Sequence, residues 1–242
     1  MRQFKPSFKI FCVRWTVRFF RLAIFGSAIV GMTLLAGCIS TAAPPLPTLP
    51  AASGPAPSFA AVALALARLP TRCQRSFFAT LKWRDHQISM IGRVNLTVAS
   101  NFQITALDEF GQLLFLVRQQ PAHAVAVRAA AGFPRRFAVA IAQDIVIALL
   151  PPQQPLAHSA LGTSDHLHSV RLSYTDRLGN THHCMFVGRQ GHLRRADIAL
   201  PDHRRLQVLY TRYNAAGWPG TLSLREPDNG WLLMLNFTGS YK

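Results

Sequence analysis

Between Ile88 and Val98 the chain alternates. Even positions read Ile88, Met90, Gly92, Val94, Leu96 and Val98; odd positions read Ser89, Ile91, Arg93, Asn95 and Thr97, and only Ile91 breaks the pattern. A period of two over this length is a strand with one dry face and one wet face. Such strands belong to an antiparallel sheet covered on one side only.

More strand-like runs follow the same logic. Ser76–Trp83, Phe102–Leu107, Leu113–Arg118 and His123–Arg128 are separated by turn-forming residues, among them Asp108-Glu109-Phe110-Gly111 and Gln119-Gln120-Pro121. Short links between neighbouring strands predict a meander. The period changes at Pro134. Phe137, Ile141, Ile145 and Leu149 are spaced for a helix that starts after Pro134 and stops at Pro151-Pro152. It is apolar on more than one face, so it is expected to be buried. A second strand set then runs through His168–Tyr174, His183–Val187, Leu193–Ala199, Arg205–Tyr213, Gly220–Arg225 and Trp231–Phe237. A short helix near 59–68, capped by Ser58 and stopped by Pro70, precedes them all. The expected fold class is α+β, mainly β. It is a curved antiparallel half-barrel of about 11 strands, with a helix in or over the concave face.

The N-terminal part reads differently. Residues 1–21 hold six Lys or Arg and no acid, and residues 22–37 are uncharged and mostly apolar. A basic region, an apolar run and small residues form the layout of an export signal. Sixteen apolar residues make a helix of about 24 Å, short for a hydrocarbon core of roughly 30 Å. An uncleaved anchor is the other reading. Leu35-Ala36-Gly37-Cys38 resembles the lipobox of bacterial lipoproteins. The resemblance implies cleavage before Cys38 and a diacylglycerol on its sulfur. Ile39 follows where enterobacterial lipoproteins kept at the inner membrane have Asp, which implies the outer membrane, with the domain on its periplasmic face. Residues 41–57 hold six prolines and no charge, as in an extended tether reaching roughly 50 Å. The expected organisation is a signal peptide (1–37), an acylated cysteine with a Pro-rich tether (38–57) and one folded domain (58–242).

That domain keeps 20 of the 26 Lys and Arg and all 10 acids, a net +10. Basic surfaces suit lipid headgroups, lipopolysaccharide or nucleic acid, and the export signal argues against nucleic acid. A merely solvated Arg-rich surface is the alternative. With Cys12 in the signal and Cys38 lipidated, Cys73 and Cys184 remain. In an oxidising compartment they form a disulfide, or else they are two buried thiols.

Phe78 to Gln120, together with the helix ending Ile147-Ala148-Leu149-Leu150-Pro151-Pro152 and the late Arg204–Leu224, resembles the LolB-like outer-membrane lipoproteins of the LolA/LolB fold. The pattern is most like their sister family of short proteobacterial lipoproteins. The resemblance implies an apolar half-barrel that receives acyl chains. Its implied partners are outer-membrane lipid, a lipid or lipoprotein cargo and a periplasmic carrier protein. It also implies a membrane-insertion loop, which matches Leu107 to Gly111 with Phe110 as the protruding residue. The acids Asp108 and Glu109 beside it depart from the family pattern, and a Phe110 folded under its own turn is the competing reading.

Met90, Val94, Leu96, Phe102, Ile104, Phe115, Leu233, Leu235 and Phe237 are the expected lining of the concave face. They either line a ligand cavity or form ordinary core. Chemistry has no comparable signature. Asp165–His168 and His182–Cys184 lack the spacing of a zinc motif. Gly162-Thr163-Ser164-Asp165-His166 is not a nucleophile elbow. The sequence therefore predicts a binding protein, without catalytic residues, metal or cofactor. It binds a lipid or acylated cargo and passes it to the outer membrane, or it is a structural lipoprotein that binds a protein partner and carries no lipid.

Overall fold

Strand β1 (Cys73–Trp83) lies beside β12 (Trp231–Thr238), so the first and last described strands meet in the middle of the sheet. Their register sets Phe77 against Phe237, Leu81 against Leu233 and Trp83 against Trp231. From this seam two meanders run outward. One passes through β2 (His86–Val98), β3 (Asn101–Leu107) and β4 (Leu113–Gln119) to β5 (Ala126–Ala129). The other passes through β11 (Pro219–Glu226), β10 (Arg205–Tyr213), β9 (His192–Ala199), β8 (Thr181–Val187) and β7 (Ser169–Thr175) to β6 (Ala160–Ser164). Every pairing is antiparallel. The sheet is open, with β5 and β6 at its edges.

The computed structural model describes residues 44–48, 54–68, 72–150, 160–164, 168–176, 178–215 and 217–238. The proposed signal and Cys38 lie outside the described residues. All described elements belong to one compact unit, Ser40–Lys242, which carries its own hydrophobic core.

Among the described residues two helices accompany the sheet, α1 (Phe59–Arg68) and α2 (Arg135–Leu149). Ser58 caps α1, its Oγ accepting from the Ala61 N–H at 3.1 Å. Gly191, in the β8–β9 turn at φ +66°, lets α1 approach closely: a Cβ there would sit 3.0 Å from the backbone of Ala61 and Val62. The longer α2 packs on β4, β5 and β11, in the concavity of the curved sheet.

The alternation in β2 holds. Met90, Val94 and Leu96 point inward and are buried, whereas Ser89, Ile91 and Arg93 point outward and are exposed. Gly92 has a specific role. A Cβ there would lie 2.2 Å from the ring of Phe77 and 2.5 Å from the carbonyl of Thr105, so only glycine lets that ring cross the strand.

The fold agrees with the sequence expectation in class and element order, with corrections. Among the described residues there are twelve strands, in keeping with the expected number of about eleven; Ala160–Ser164 is the strand not expected, adding β6 outside β7. Strand β1 starts three residues early, at Cys73, and β5 is confined to Ala126–Ala129. Cys73 and Cys184 are free and buried. They stand on β1 and β8, five places apart in the sheet, each fixed by its own partners: Leu96 for Cys73, and Leu172 and Ala196 for Cys184.

Candidate functional site

Helix α2 has two different surroundings. Its N-terminal turns sit in an aromatic cluster. The Phe137 ring lies 4.9 Å from Trp83 and 5.8 Å from Phe133, and meets Trp231 edge-on at 6.4 Å. Phe133 in turn stacks on Phe115 at 5.4 Å. Such contacts stabilise beyond their buried area by about 0.5–1.5 kcal/mol each. The C-terminal half instead forms one wall of a cavity of about 670 Å³, within the usual size of a ligand site.

Three further walls complete the cavity. The β2–β3 turn gives Val98, Ala99 and Ser100, with Phe102 and Gln119 beside them. The β7–β8 connection gives Tyr174, Asp176, Leu178, Asn180 and His182, and the β9–β10 turn gives Leu200, Pro201, Asp202 and Arg204. From α2 come Gln143, Val146, Ile147 and Leu150. Opposite arms of the sheet therefore meet across the cavity. A void of about 40 Å³ adjoins it towards α1 and shares Ile147, Leu150, Tyr174 and His182.

The walls are mostly apolar, and their polar groups are held in place. Asp176 organises the β7–β8 turn, accepting from the backbone of Leu178 (2.8 Å) and Asn180 (2.9 Å), from Asn180 Nδ2 (2.7 Å) and from His182 Nε2 (3.0 Å). Burial alone would raise its carboxyl; the bonds from His182 and Asn180 outweigh that and hold it below the ordinary carboxylate range. Burial pushes His182 below its ordinary value despite Asp176, so its ring is neutral at neutral pH. That ring stacks on Tyr174 at 4.6 Å.

Arg204 binds Asp202 at 2.8 Å and reaches Asp144 at 3.5 Å and Glu226 at 3.8 Å. Asp144 and Glu226 are fully buried. Glu226 Oε2 also accepts from Asn229 (2.6 Å) and Trp231 Nε1 (2.9 Å). Burial pushes the Asp144 carboxyl up to about 7, and the Arg204 guanidinium opposes the rise. The same wall is fastened by the Tyr210 hydroxyl, which donates to the Ala148 carbonyl at 3.0 Å.

The nine predicted lining residues do face the concave side. Eight of them, all but Phe237, are at most 3% exposed and belong to the core. Phe102 alone of the nine lines the cavity. The others do not border the cavity; all but Phe237 are packed within the hydrophobic core that also holds α2. Phe237 is half-buried, edge-on to Phe77 and 4.1 Å from the guanidinium of Arg75. Phe110 is 78% exposed at the tip of the β3–β4 turn, which rules out the folded-under reading. Asp108 beside it has a local explanation: its Oδ1 accepts from the backbone of Phe110 (3.0 Å) and Gln112 (2.8 Å) and so builds the turn.

The Arg204 cluster was missed. One signal was available: Asp144 is the sole acid of the helix and sits in its apolar run after Phe137, and a buried acid requires a partner. Of the stretch Asp165–His168 only His168 is among the described residues, and it is exposed. His182 and Cys184 share the inner face of β8 while His183 points outward, its Nδ1 2.8 Å from Ser173 Oγ. His166 lies outside the described residues.

No family model and no curated protein matches the sequence. Solved structures do. A LolA superfamily protein from Nitrosomonas europaea is similar at 10% identity and a TM-score of 0.45, over 74% of this chain and 91% of that one. A domain from Vibrio parahaemolyticus described as an outer membrane lipoprotein-sorting protein is similar at 8% identity and a TM-score of 0.45, over 74% and 89%. A DUF1329 family protein from Desulfovibrio piger is similar at 11% identity and a TM-score of 0.47, over 76% and 92%.

Proposed function

We propose that this chain is a lipid-anchored binding protein of the outer membrane. It holds the apolar chain of a lipid or acylated cargo beside α2 and passes it on at the membrane without making or breaking a covalent bond. The observation that carries this reading is the cavity of about 670 Å³ with mainly apolar walls, built where the two arms of the sheet approach α2. An apolar-walled concavity of this size gains when an apolar ligand displaces the water from its walls. The exposed Phe110 supports delivery, since an aromatic side chain on a rigid turn can enter the acyl boundary of a bilayer. Cys38 is the proposed anchor.

A second reading has its own observation. Phe78 and Ile91 face each other across β1 and β2 on the convex side, 52% and 43% exposed. Such a pair favours a protein partner bound there without cargo. Native mass spectrometry of Ser40–Lys242, purified from a periplasm without detergent, decides between them. Cargo binding gives a co-purifying lipid mass that disappears in Ile147→Trp, which fills the cavity. A clean apo mass with no uptake of added acylated peptide refutes it in favour of the partner.

A further inference from the structure

We propose that the cavity selects an amphiphile with a cationic head, an ammonium on an apolar chain, over one with a phosphate, sulfate or carboxylate head. The proposal rests on the ligand-binding reading above and names the class of ligand.

The charge at this site is opposite to that of the domain around it. The folded domain carries +10, yet four of its ten acids gather here. Asp176 and Asp202 line the cavity, and Asp144 and Glu226 stand directly behind Arg204. Among the described residues Arg204 is the only lysine or arginine in the lining. Its guanidinium is already shared among three carboxylates, at 2.8, 3.5 and 3.8 Å. It has no charge to spare for an anionic head, which would add another negative charge to an acid-rich wall.

Two observations beyond the clustering strengthen this. The cluster borders an apolar cavity, where low-dielectric walls focus the field of the fixed charges. In addition, Glu226 Oε1 is buried without a hydrogen-bond partner, and Asp144, whose carboxyl is raised to about 7, adds part of a negative charge at pH 7. Distant arginines do not reverse the sign, because exposed charges are largely screened beyond about 8 Å at physiological salt. Asp202, whose side chain is 59% exposed, is the carboxylate an incoming head meets at the rim. The apolar chain then lies along Val146, Ile147, Leu150 and Phe102.

The test uses Ser40–Lys242 loaded with the apolar dye N-phenyl-1-naphthylamine at pH 7. Dodecylamine, dodecyl maltoside and dodecyl sulfate, which share one chain length, compete for it below their aggregation concentrations. Ile147→Trp identifies the part of the signal that belongs to the cavity. The expected result is cavity displacement by dodecylamine at about tenfold lower concentration than by dodecyl sulfate, the scale of one close charge contact at a partly buried site. In Asp202→Asn, with an unchanged circular dichroism spectrum, this ratio shrinks while the maltoside is unaffected. Dodecyl sulfate displacing the dye from the cavity as well as the amine does overturns the head-group proposal and leaves ligand binding standing. No cavity-dependent displacement by any of the three overturns both.

Discussion

The two halves of α2 differ more than two separate helices often do. One half is locked into the core by Phe133, Phe137, Trp83 and Trp231; the other borders a cavity and carries a buried acid. The first is held by ring contacts around Phe137; the second buries Ile145, Ala148 and Leu149 on one side and borders the cavity with Gln143, Ile147 and Leu150 on the other. A single rigid rod thus joins a part that stabilises the fold to a part free to meet a ligand, and mutations in the two should report different quantities.

The largest effect is expected in the aromatic half. Phe137→Ala removes three ring contacts and leaves a hole, at a cost of about 3–5 kcal/mol in denaturant unfolding. A cost below about 1 kcal/mol would show that this half is no better packed than the other. Asp144→Asn comes next, as a change in pH dependence. A carboxyl near its ordinary value when unfolded and raised to about 7 when folded keeps its proton longer in the folded state. It therefore contributes stability in full below about pH 4 and loses it as pH rises to about 7, by up to roughly 1.4 kcal/mol per unit. Asp176 and Asp202, held low in the fold, act in the opposite sense, losing their contribution as pH falls through their folded values. Because wild type and variant share both, the difference between their melting curves isolates Asp144. The variant should gain relative stability from pH 4 to 7, and a constant difference would refute the assignment.

Ile147→Ala in the cavity half should cost only about 1 kcal/mol, less than a truncation in close-packed core, because part of this side chain already borders empty space. It should also change ligand affinity, which Phe137→Ala measured under folding conditions should not. The smallest effect on stability belongs to Phe110→Ser, within about 0.5 kcal/mol for an exposed site. Binding to anionic vesicles, followed by flotation, should fall all the same; unchanged flotation would remove the turn from the delivery step.

Much of the fold was legible because it is local. Alternation in β2 and the turn residues between strands specify a meander one link at a time, and Pro134 and Pro151 bracket α2. Strand β6 was not legible: five residues carrying Gly162 and two hydroxyls give no clear alternation, and only pairing with β7 defines them. The cavity was still less so. Inward-facing residues can be read from a period of two, but which of them pack and which border space depends on where α2 lies. Arg204 and Asp144 stand 60 residues apart in sequence and come together only through the curvature of the sheet.

The seam between β1 and β12 bears on how the protein is made. The centre of the sheet joins Trp83 to Trp231, 148 residues later, so β12 must be synthesised before the middle of the sheet exists. Until those last strand residues emerge, β1 has one neighbour and its inward apolar side chains have only half their cover. Closing so long a loop is slow compared with forming hairpins. The core therefore closes late, as a long-range step that waits for β12 to pair with β1.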